Sequence, residues 1–261
     1  MPDSPTAAPT GSPAFPTFPA LLAEALRRDA ARPQVTFYDD ATGERVELSV
    51  TTFANWVSKT AGLVQDELGL ERGELVLVDL PTHWLGAVWL GAAWTAGLCV
   101  TADRDLADDA ALVVCGPERV EAYAETFPPR PVVALSLRPL GARFTEPLPA
   151  GVTDYGAVVL GQPDVFVGVD PPGGEDPAWR DGDAVLTQRE LLEGTAREPL
   201  VEQGGRLLTD RNPATPEGLP TLLAPLQRSG GTVWVAHPDP ASWESRASAE
   251  RATLGLGTGS S

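Results

Sequence analysis

The stretch from Leu75 to Asp103 constrains the fold more than any other part of this sequence. It begins with a short apolar, β-branched run, Leu75–Asp79, and ends with a second apolar run, Leu98–Thr101. Between them lies a segment without a polar face, in which small residues separate three tryptophans, Trp84, Trp89 and Trp94. A helix that is apolar all round must be buried in a protein or in a membrane. The pattern predicts a strand, a buried helix and a strand.

A membrane span is the competing interpretation, because no residue from Leu80 to Ala102 carries a formal charge. Pro81 and three glycines interrupt this segment, and its helical part is only about 14 residues long, whereas a span needs about 20. Strand patterns also bracket it on both sides. We therefore interpret it as the crossover of a βαβ unit in an α/β domain.

Charge and cysteine usage exclude several classes of function. The net charge of -17 argues against binding to nucleic acid or to anionic membrane surfaces, which require clustered Lys or Arg. Cys99 and Cys115 lie in apolar runs without CxxC spacing, so we predict buried, reduced thiols, with a metal or disulfide role as the alternative. No apolar signal region precedes Arg27, and we expect a cytoplasmic protein.

Helix and strand patterns alternate along the chain, which predicts an α/β fold: a mainly parallel sheet with helices on both faces. Six prolines in residues 1–19 predict a disordered tail there. We assign residues 20–150 to a first α/β subdomain and residues 151–240 to an incomplete second one. Residues 241–261 are predicted to form a C-terminal helix and a flexible tail.

Local patterns give further expectations. We predict two early helices, Pro19–Ala31 and Thr52–Leu68, with a β-hairpin between them over Val35–Val50. Thr187 and Glu190 have the spacing of a capping box, which predicts a helix start at that point. Further along the chain we predict a strand at Val165–Val169 and an irregular segment at Pro171–Asp183. A helix is predicted from Thr215–Glu217 onward, with a proline at its first position, and a last helix at Ser242–Thr253.

Three strings give the sequence a family resemblance. Residues 47–103, the string LTQRELL at Leu186–Leu192 and the region Arg206–Ala236 resemble the N-terminal half of the adenylate-forming superfamily, which includes acyl-CoA synthetases, adenylation domains and luciferases. LTQRELL is similar to the LTHRNLL of that family. The resemblance implies a truncated N-terminal domain of acyl-CoA synthetase-like enzymes. The adenine motif, the ribose-binding aspartate and the domain with the catalytic lysine would follow the matching part, and this chain ends before them.

The resemblance also implies a phosphate loop, a Ser/Thr/Gly-rich run ending in Pro-Lys-Gly, directly before LTQRELL. Aligned on Leu186, the lysine position falls on Gly182, and the residues from Gly174 to Arg180 supply no run of hydroxyls. Carboxylates surround the single Arg180 instead. Each carboxylate about 4 Å from a phosphate costs between ~1 and ~4 kcal/mol, whereas a helix N-terminus returns ~0.3–1 kcal/mol. Repulsion therefore exceeds attraction. The carboxylates are Glu175, Asp176, Asp181 and Asp183.

We interpret this segment as a solvated acidic loop that caps a helix. The alternative is a rebuilt Mg-ATP site with oxygen ligands from Asp176, Asp181 and Asp183. His83 follows a strand end, where α/β folds often bind ligands, although a capping or packing role is the simpler interpretation. The candidate cofactor-binding residues are Asp176, Arg180, Asp181, Asp183, Thr187 and His83. Asp79 and His237 are interpreted as structural and surface residues.

No GxSxG, HExxH or GxGxxG motif occurs, so we name no catalytic residue and no metal ligand. The sequence favours a non-catalytic relative of adenylate-forming enzymes, a binding or regulatory protein without a cofactor. Two alternatives remain: a ligase or hydrolase with a rebuilt site at residues 171–187, and a half-enzyme completed by a separately encoded C-terminal domain. We expect a homo-oligomer or a protein partner. The small-molecule ligand cannot be named from the sequence.

Overall fold

The computed structural model describes residues 15–127, 129–197 and 199–257. These residues form helices and strands in the following order: α1 (Phe18–Asp29), β1 (Pro33–Asp39), β2 (Glu44–Ser49), α2 (Val50–Gly62), β3 (Leu75–Asp79), α3 (Trp84–Thr95), β4 (Cys99–Thr101), β5 (Leu112–Cys115), α4 (Val120–Thr126), β6 (Val132–Ala134), β7 (Val152–Asp154), α5 (Tyr155–Val158), β8 (Pro177–Asp181), β9 (Ala184–Thr187), α6 (Gln188–Arg197), β10 (Arg206–Thr209), α7 (Leu219–Gln227), β11 (Gly231–Ala236), α8 (Pro240–Ala249) and β12 (Leu254–Leu256).

The strands form two mainly parallel sheets. The five-stranded sheet has the order β12-β10-β11-β1-β2, and the seven-stranded sheet has the order β7-β6-β5-β3-β4-β8-β9. Only β2 and β9, each at a sheet edge, run antiparallel to their neighbours among the described strands. The predicted mainly parallel α/β fold is confirmed. The sheets do not divide the chain at residue 150, since β1 and β2 share a sheet with strands from the C-terminal end.

Helix α3 is the buried element at the centre of the molecule. Every residue from Trp84 to Trp94 is buried, and the Trp94 indole Nε1 donates to the carbonyl of Ala178 at 2.8 Å. A Cβ at Gly91 would lie 2.9 Å from a methyl of Val57, so this glycine is needed for the close approach of α2. In the part of the chain that the structure describes, no helix is long and apolar enough to cross a membrane.

Several local predictions are confirmed. β1 and β2 form the expected antiparallel hairpin, and β3 has the predicted bounds. Helix α1 begins within one residue of its predicted start, and Ser49 caps α2 by accepting from the Thr52 N–H at 3.1 Å. Helix α2 continues through a π-helical turn, Leu63–Glu67. Cys99 and Cys115 are buried free thiols, and burial raises their pKa values to about 11 and about 12.

Two predictions between residues 165 and 183 are wrong. Val165–Val169 is not a strand, and its three valines are more than 70% exposed, because the segment pairs with no described strand. Pro171–Asp183 is not irregular throughout, since β8 begins at Pro177 and forms a hairpin with β9. Gly182, with φ of 54°, supplies the left-handed residue that this tight turn requires.

The remaining corrections concern element ends. The helix expected from Thr215 begins at Leu219, after a turn in which the Gly218 N–H donates to the Thr215 carbonyl. The last helix ends at Ala249, and β12 then pairs with β10 where a flexible tail was predicted. The tail predicted over residues 1–19 falls largely on residues 1–14, outside the described residues. Its end was placed too late, because Phe18 already starts α1 and is 1% exposed.

Candidate functional site

The segment aligned with the family's phosphate loop is a β-hairpin. Asp181 of β8 lies opposite Ala184 of β9, so the backbone here is paired in a sheet and does not form an open loop. Asp176, just before β8, accepts two hydrogen bonds from the Arg72 guanidinium, at 2.6 and 2.7 Å. Burial opposes ionisation of this carboxyl, but Arg72 and the Gly173 N–H hold the pKa of Asp176 below its usual value.

The other candidates on the hairpin do not converge on one point. Arg180 pairs with Asp109 at 2.9 Å, while Asp181 and Asp183 are exposed beside the turn. Thr187 forms the predicted capping box: its N–H donates to Glu190 Oε2 at 2.9 Å, and its Oγ1 accepts from the Glu190 N–H at 3.2 Å. Across the described ranges, no group of three or more His, Cys, Asp or Glu side chains could hold a metal ion.

Gln188 occupies the position of the histidine in LTHRNLL, and its role here is structural. Its side chain is buried, accepts from the Phe18 N–H at 2.9 Å and donates to the Trp94 carbonyl at 2.8 Å. One amide therefore joins the starts of α1 and α6 to the end of α3. Neither Gln188 nor the hairpin borders the cleft that the two sheets form between them.

That cleft, of about 740 Å³, lies at the carboxyl ends of parallel strands from both sheets. At this edge of a sheet, loops connect each parallel strand to the helix that crosses back over the sheet face. Such loops commonly form ligand sites. The five-stranded sheet contributes the ends of β1, β10 and β11, and the seven-stranded sheet the ends of β3 and β5. Its lining includes Phe37, Asp39, Asp79, His83, Arg104, Glu118, Arg119, Leu137, Asp210 and His237.

Asp79, at the end of β3, anchors one wall of the cleft. Both of its oxygens accept from the Arg104 guanidinium at 2.8 Å, and Oδ2 also accepts from the Tyr123 hydroxyl at 2.8 Å. Arg119 lies 3.8 Å away. Burial, together with the hydrogen bond to Asp79, raises the pKa of Tyr123, which keeps its proton. The structural role predicted for Asp79 fits this network, and the same network fixes two cations at the cleft.

His83 caps the start of α3, as predicted, and its other ring nitrogen has no hydrogen-bond partner among the described residues. Its Nδ1 accepts from the Leu85 N–H at 3.2 Å, and its ring lies 4.7 Å from that of Phe37. Burial lowers the pKa of His83 to about 3, although the charge of Asp39 acts in the opposite direction. The ring is therefore neutral at pH 7, and its proton is on Nε2. Among the described residues, this buried Nε2 has no hydrogen-bond partner.

The opposite wall carries a second histidine. His237 Nδ1 lies 2.8 Å from Asp39 Oδ1, so this residue is a rim residue and not only a surface one. Two non-glycine residues of the cleft have left-handed backbones: His237 with φ of 48° and Leu137 with φ of 54°. Such conformations cost about 1–3 kcal/mol and cluster at functional sites.

No local sequence motif marks this cleft. Asp39, Arg104, Arg119 and His237 come from four separate loops or strand ends, and only the pairing of β1 with β11 and of β3 with β5 brings them together. Of the predicted candidates, only His83 borders it. A rule that reads every polar residue at a parallel strand's carboxyl end as a ligand candidate could have found Asp39, Asp79 and Asp210.

The two-sheet architecture is that of the N-terminal domain of acyl-CoA synthetases. The acyl-CoA synthetase of Brucella canis superimposes with a TM-score of 0.74 at 17% identity, over 91% of this chain and 47% of that chain. The acetoacetyl-CoA synthetase of Streptomyces lividans gives 0.76 at 15% identity, over 92% and 42%. The chain thus spans less than half the length of these two structures.

A relative in sequence identifies the family. A TIGR03089 family protein from Mycobacterium tuberculosis (strain ATCC 25618 / H37Rv) is 38% identical over 240 residues, which cover 90% of this chain and 95% of the relative. The chain belongs to the TIGR03089 family. No protein-family model matches it.

Proposed function

We propose that this protein is a non-catalytic relative of the acyl-CoA synthetases, a binding or regulatory protein that holds a small ligand in the cleft between its sheets. The observation that carries the proposal is the β8–β9 hairpin at the position of the phosphate loop. A phosphate loop needs backbone N–H groups that converge on an anion, together with a cation. In the hairpin the backbone is paired in a sheet, and the turn carries Asp181 and Asp183.

The nearby arginines do not offset the repulsion between the carboxylates of the turn and a phosphate. Arg72 is engaged by Asp176 and Asp170, Arg180 by Asp109, and Arg189 by Glu175. Each pair is already satisfied, so a nucleotide would have to break one of them to gain a counter-charge. A phosphate near the turn would meet repulsion of ~1–4 kcal/mol per carboxylate at about 4 Å.

The alternative function is an adenylating half-enzyme that a separate C-terminal domain completes. The observation that favours it is the coverage, since the chain spans 47% and 42% of the two synthetases. The rebuilt Mg-ATP site is less supported, because Arg72 occupies Asp176. The expected homo-oligomer or protein partner remains a prediction for either function.

Titration calorimetry with ATP and AMP, with and without Mg²⁺, tests the proposal. We expect no saturable binding at millimolar nucleotide. The matched variant Asp181→Asn with Asp183→Asn removes two charges at the turn without changing its shape, and should bind no more than weakly. Tight Mg-ATP binding by the wild type that is lost on Asp176→Asn would contradict the proposal and support the rebuilt site.

A second measurement addresses the half-enzyme. The purified protein is mixed with a lysine-bearing C-terminal domain of an acyl-CoA synthetase, ATP, a carboxylic acid and hydroxylamine, which traps any acyl-adenylate as a hydroxamate. We expect no hydroxamate above the amount made by the C-terminal domain alone. Turnover that requires both proteins would show that the chain is catalytic once completed.

A further inference from the structure

The cleft has an uneven distribution of charge. Its lining contains four carboxylates but only two guanidinium groups. On the wall of the seven-stranded sheet, Arg104 and Arg119 balance Asp79 and Glu118. On the wall of the five-stranded sheet, Asp39 is the carboxylate next to the buried ring of His83.

The same end of the cleft offers a hydrogen-bond donor. His83 is 3% exposed and neutral, and its Nε2 carries the ring proton without an acceptor among residues 15–127, 129–197 and 199–257. A buried donor without an acceptor is destabilising, and an acceptor in the cleft would remove that cost. A neutral N–H favours a carbonyl oxygen, because the Asp39 charge nearby penalises a carboxylate at this point.

Apolar surface separates the polar groups. The Phe37 ring packs against His83 at a tilted angle of 59°, and Leu80, Leu137 and Val235 complete the apolar part of the lining. Short methylene chains fit such a wall, because burying them away from water is favourable. The two left-handed residues, Leu137 and His237, both belong to this lining, so the strained backbone is concentrated at the cleft.

We infer that the cleft binds a small organic cation that carries a carbonyl group: the carbonyl oxygen accepts from His83 Nε2–H, and the ammonium group lies beside Asp39. This inference rests on the proposed binding function and specifies the ligand class. It follows from the juxtaposition of an unsatisfied donor, a nearby carboxylate and an apolar wall. Nucleotides and other polyanions belong to the excluded class.

Four small amides and acids with the same carbon chain test the inference. 4-Aminobutanamide carries both features, butanamide lacks the cation, 4-aminobutanoate replaces the carbonyl by a carboxylate, and succinamate carries a carbonyl with a negative charge. Binding is followed by ¹H–¹⁵N NMR of the ring nitrogens of His83 and of the backbone amides around Asp39. We expect 4-aminobutanamide to bind most tightly and succinamate least, with at least a tenfold difference in Kd.

Two variants separate the contributions. His83→Asn keeps an acceptor for the Leu85 N–H but removes the Nε2 donor, and should weaken 4-aminobutanamide about tenfold. Asp39→Asn should remove the preference of 4-aminobutanamide over butanamide. The control Glu202→Gln changes the net charge equally, but its residue precedes β10 and lies at the opposite end of that strand from the cleft. It should leave every Kd unchanged.

The outcomes distinguish this inference from the proposed function. Succinamate binding as tightly as 4-aminobutanamide, an unchanged Kd in His83→Asn, or no shift with any of the four probes would overturn the ligand class. None of these results would be evidence for nucleotide binding or for catalysis. Conversely, a positive hydroxamate assay would overturn the non-catalytic function and leave the charge preference of the cleft intact.

Discussion

Replacing Gln188 by methionine should destabilise the protein by about 2–3 kcal/mol. The substitution nearly conserves volume, so cavity formation contributes little. It removes the only acceptor that the Phe18 N–H has among the described residues, at 2.9 Å, and a buried donor left without an acceptor costs about 1–3 kcal/mol. The Trp94 carbonyl also loses a donor, but keeps the Gly97 N–H at 3.3 Å, so its loss adds a smaller amount.

Urea denaturation followed by tryptophan fluorescence measures this change in the free energy of unfolding. The control is Gln203→Met, at an exposed glutamine, which should change the free energy by less than about 0.5 kcal/mol. A change below about 1 kcal/mol for Gln188→Met would refute the reasoning, because it would show that the two hydrogen bonds contribute nothing beyond packing.

The variant Gln188→Glu should make the stability of the protein depend on pH in a characteristic way. Its protonated form can donate to the Trp94 carbonyl, while its ionised form places a negative charge against that oxygen, so the folded state raises the pKa of this carboxyl. A raised pKa means that stability is retained below the unfolded value, about 4.3, and is lost as the pH rises above it. We expect Gln188→Glu to be closer to wild type at pH 4 than at pH 7, which Gln188→Met cannot reproduce.

Three further predictions concern stability. Deleting residues 2–18 should lower Tm by several degrees, since the deletion removes the buried phenylalanine that starts α1; an unchanged melting curve would show that its burial is dispensable. Arg72→Met should cost stability at pH 7 but little at pH 3, because the lowered pKa of Asp176 gives stability that is lost as the pH falls through it; equal losses at both pH values would exclude this ion pair as the cause. In thermal unfolding, Gly91→Ala should destabilise, with its Cβ at 2.9 Å from a neighbour, whereas Gly194→Ala, in open space on α6, should stabilise by about 0.5–1 kcal/mol; the opposite order would contradict the packing of α3.

The buried helix at the centre of the fold was predictable because its sequence places apolar residues on every side. A helix with tryptophans on several sides and glycines between them can only be covered on all faces, and α3 is. The capping box at Thr187 was equally predictable, because it depends on residues three apart. The β8–β9 hairpin was missed because Pro177, Ala178 and Asp181 are unfavourable strand residues, and pairing of β8 with β4 and β9 overrides their preference.

The candidate site was harder for a physical reason. His83 was recognisable as a residue after a strand end, but its unsatisfied Nε2 depends on the absence of an acceptor among its described neighbours, and no sequence pattern encodes that. Asp39 appeared to belong only to a hairpin loop. Its nearness to His237 arises from the parallel pairing of β1 with β11, which places Asp39 opposite Ala236.

The composition of the five-stranded sheet has a consequence for how the chain folds. Val35 of β1 pairs with Thr232 of β11, so this sheet cannot close until β11 has left the ribosome. At about 5–20 residues per second, the β1–β2 hairpin waits on the order of ten seconds or more for its partner. The seven-stranded sheet is contiguous in sequence from β3 to β9 and can assemble during that time. During synthesis, β1 therefore has an unpaired edge of Val35, Thr36 and Phe37, and such an edge is a template for pairing with another chain until β11 covers it.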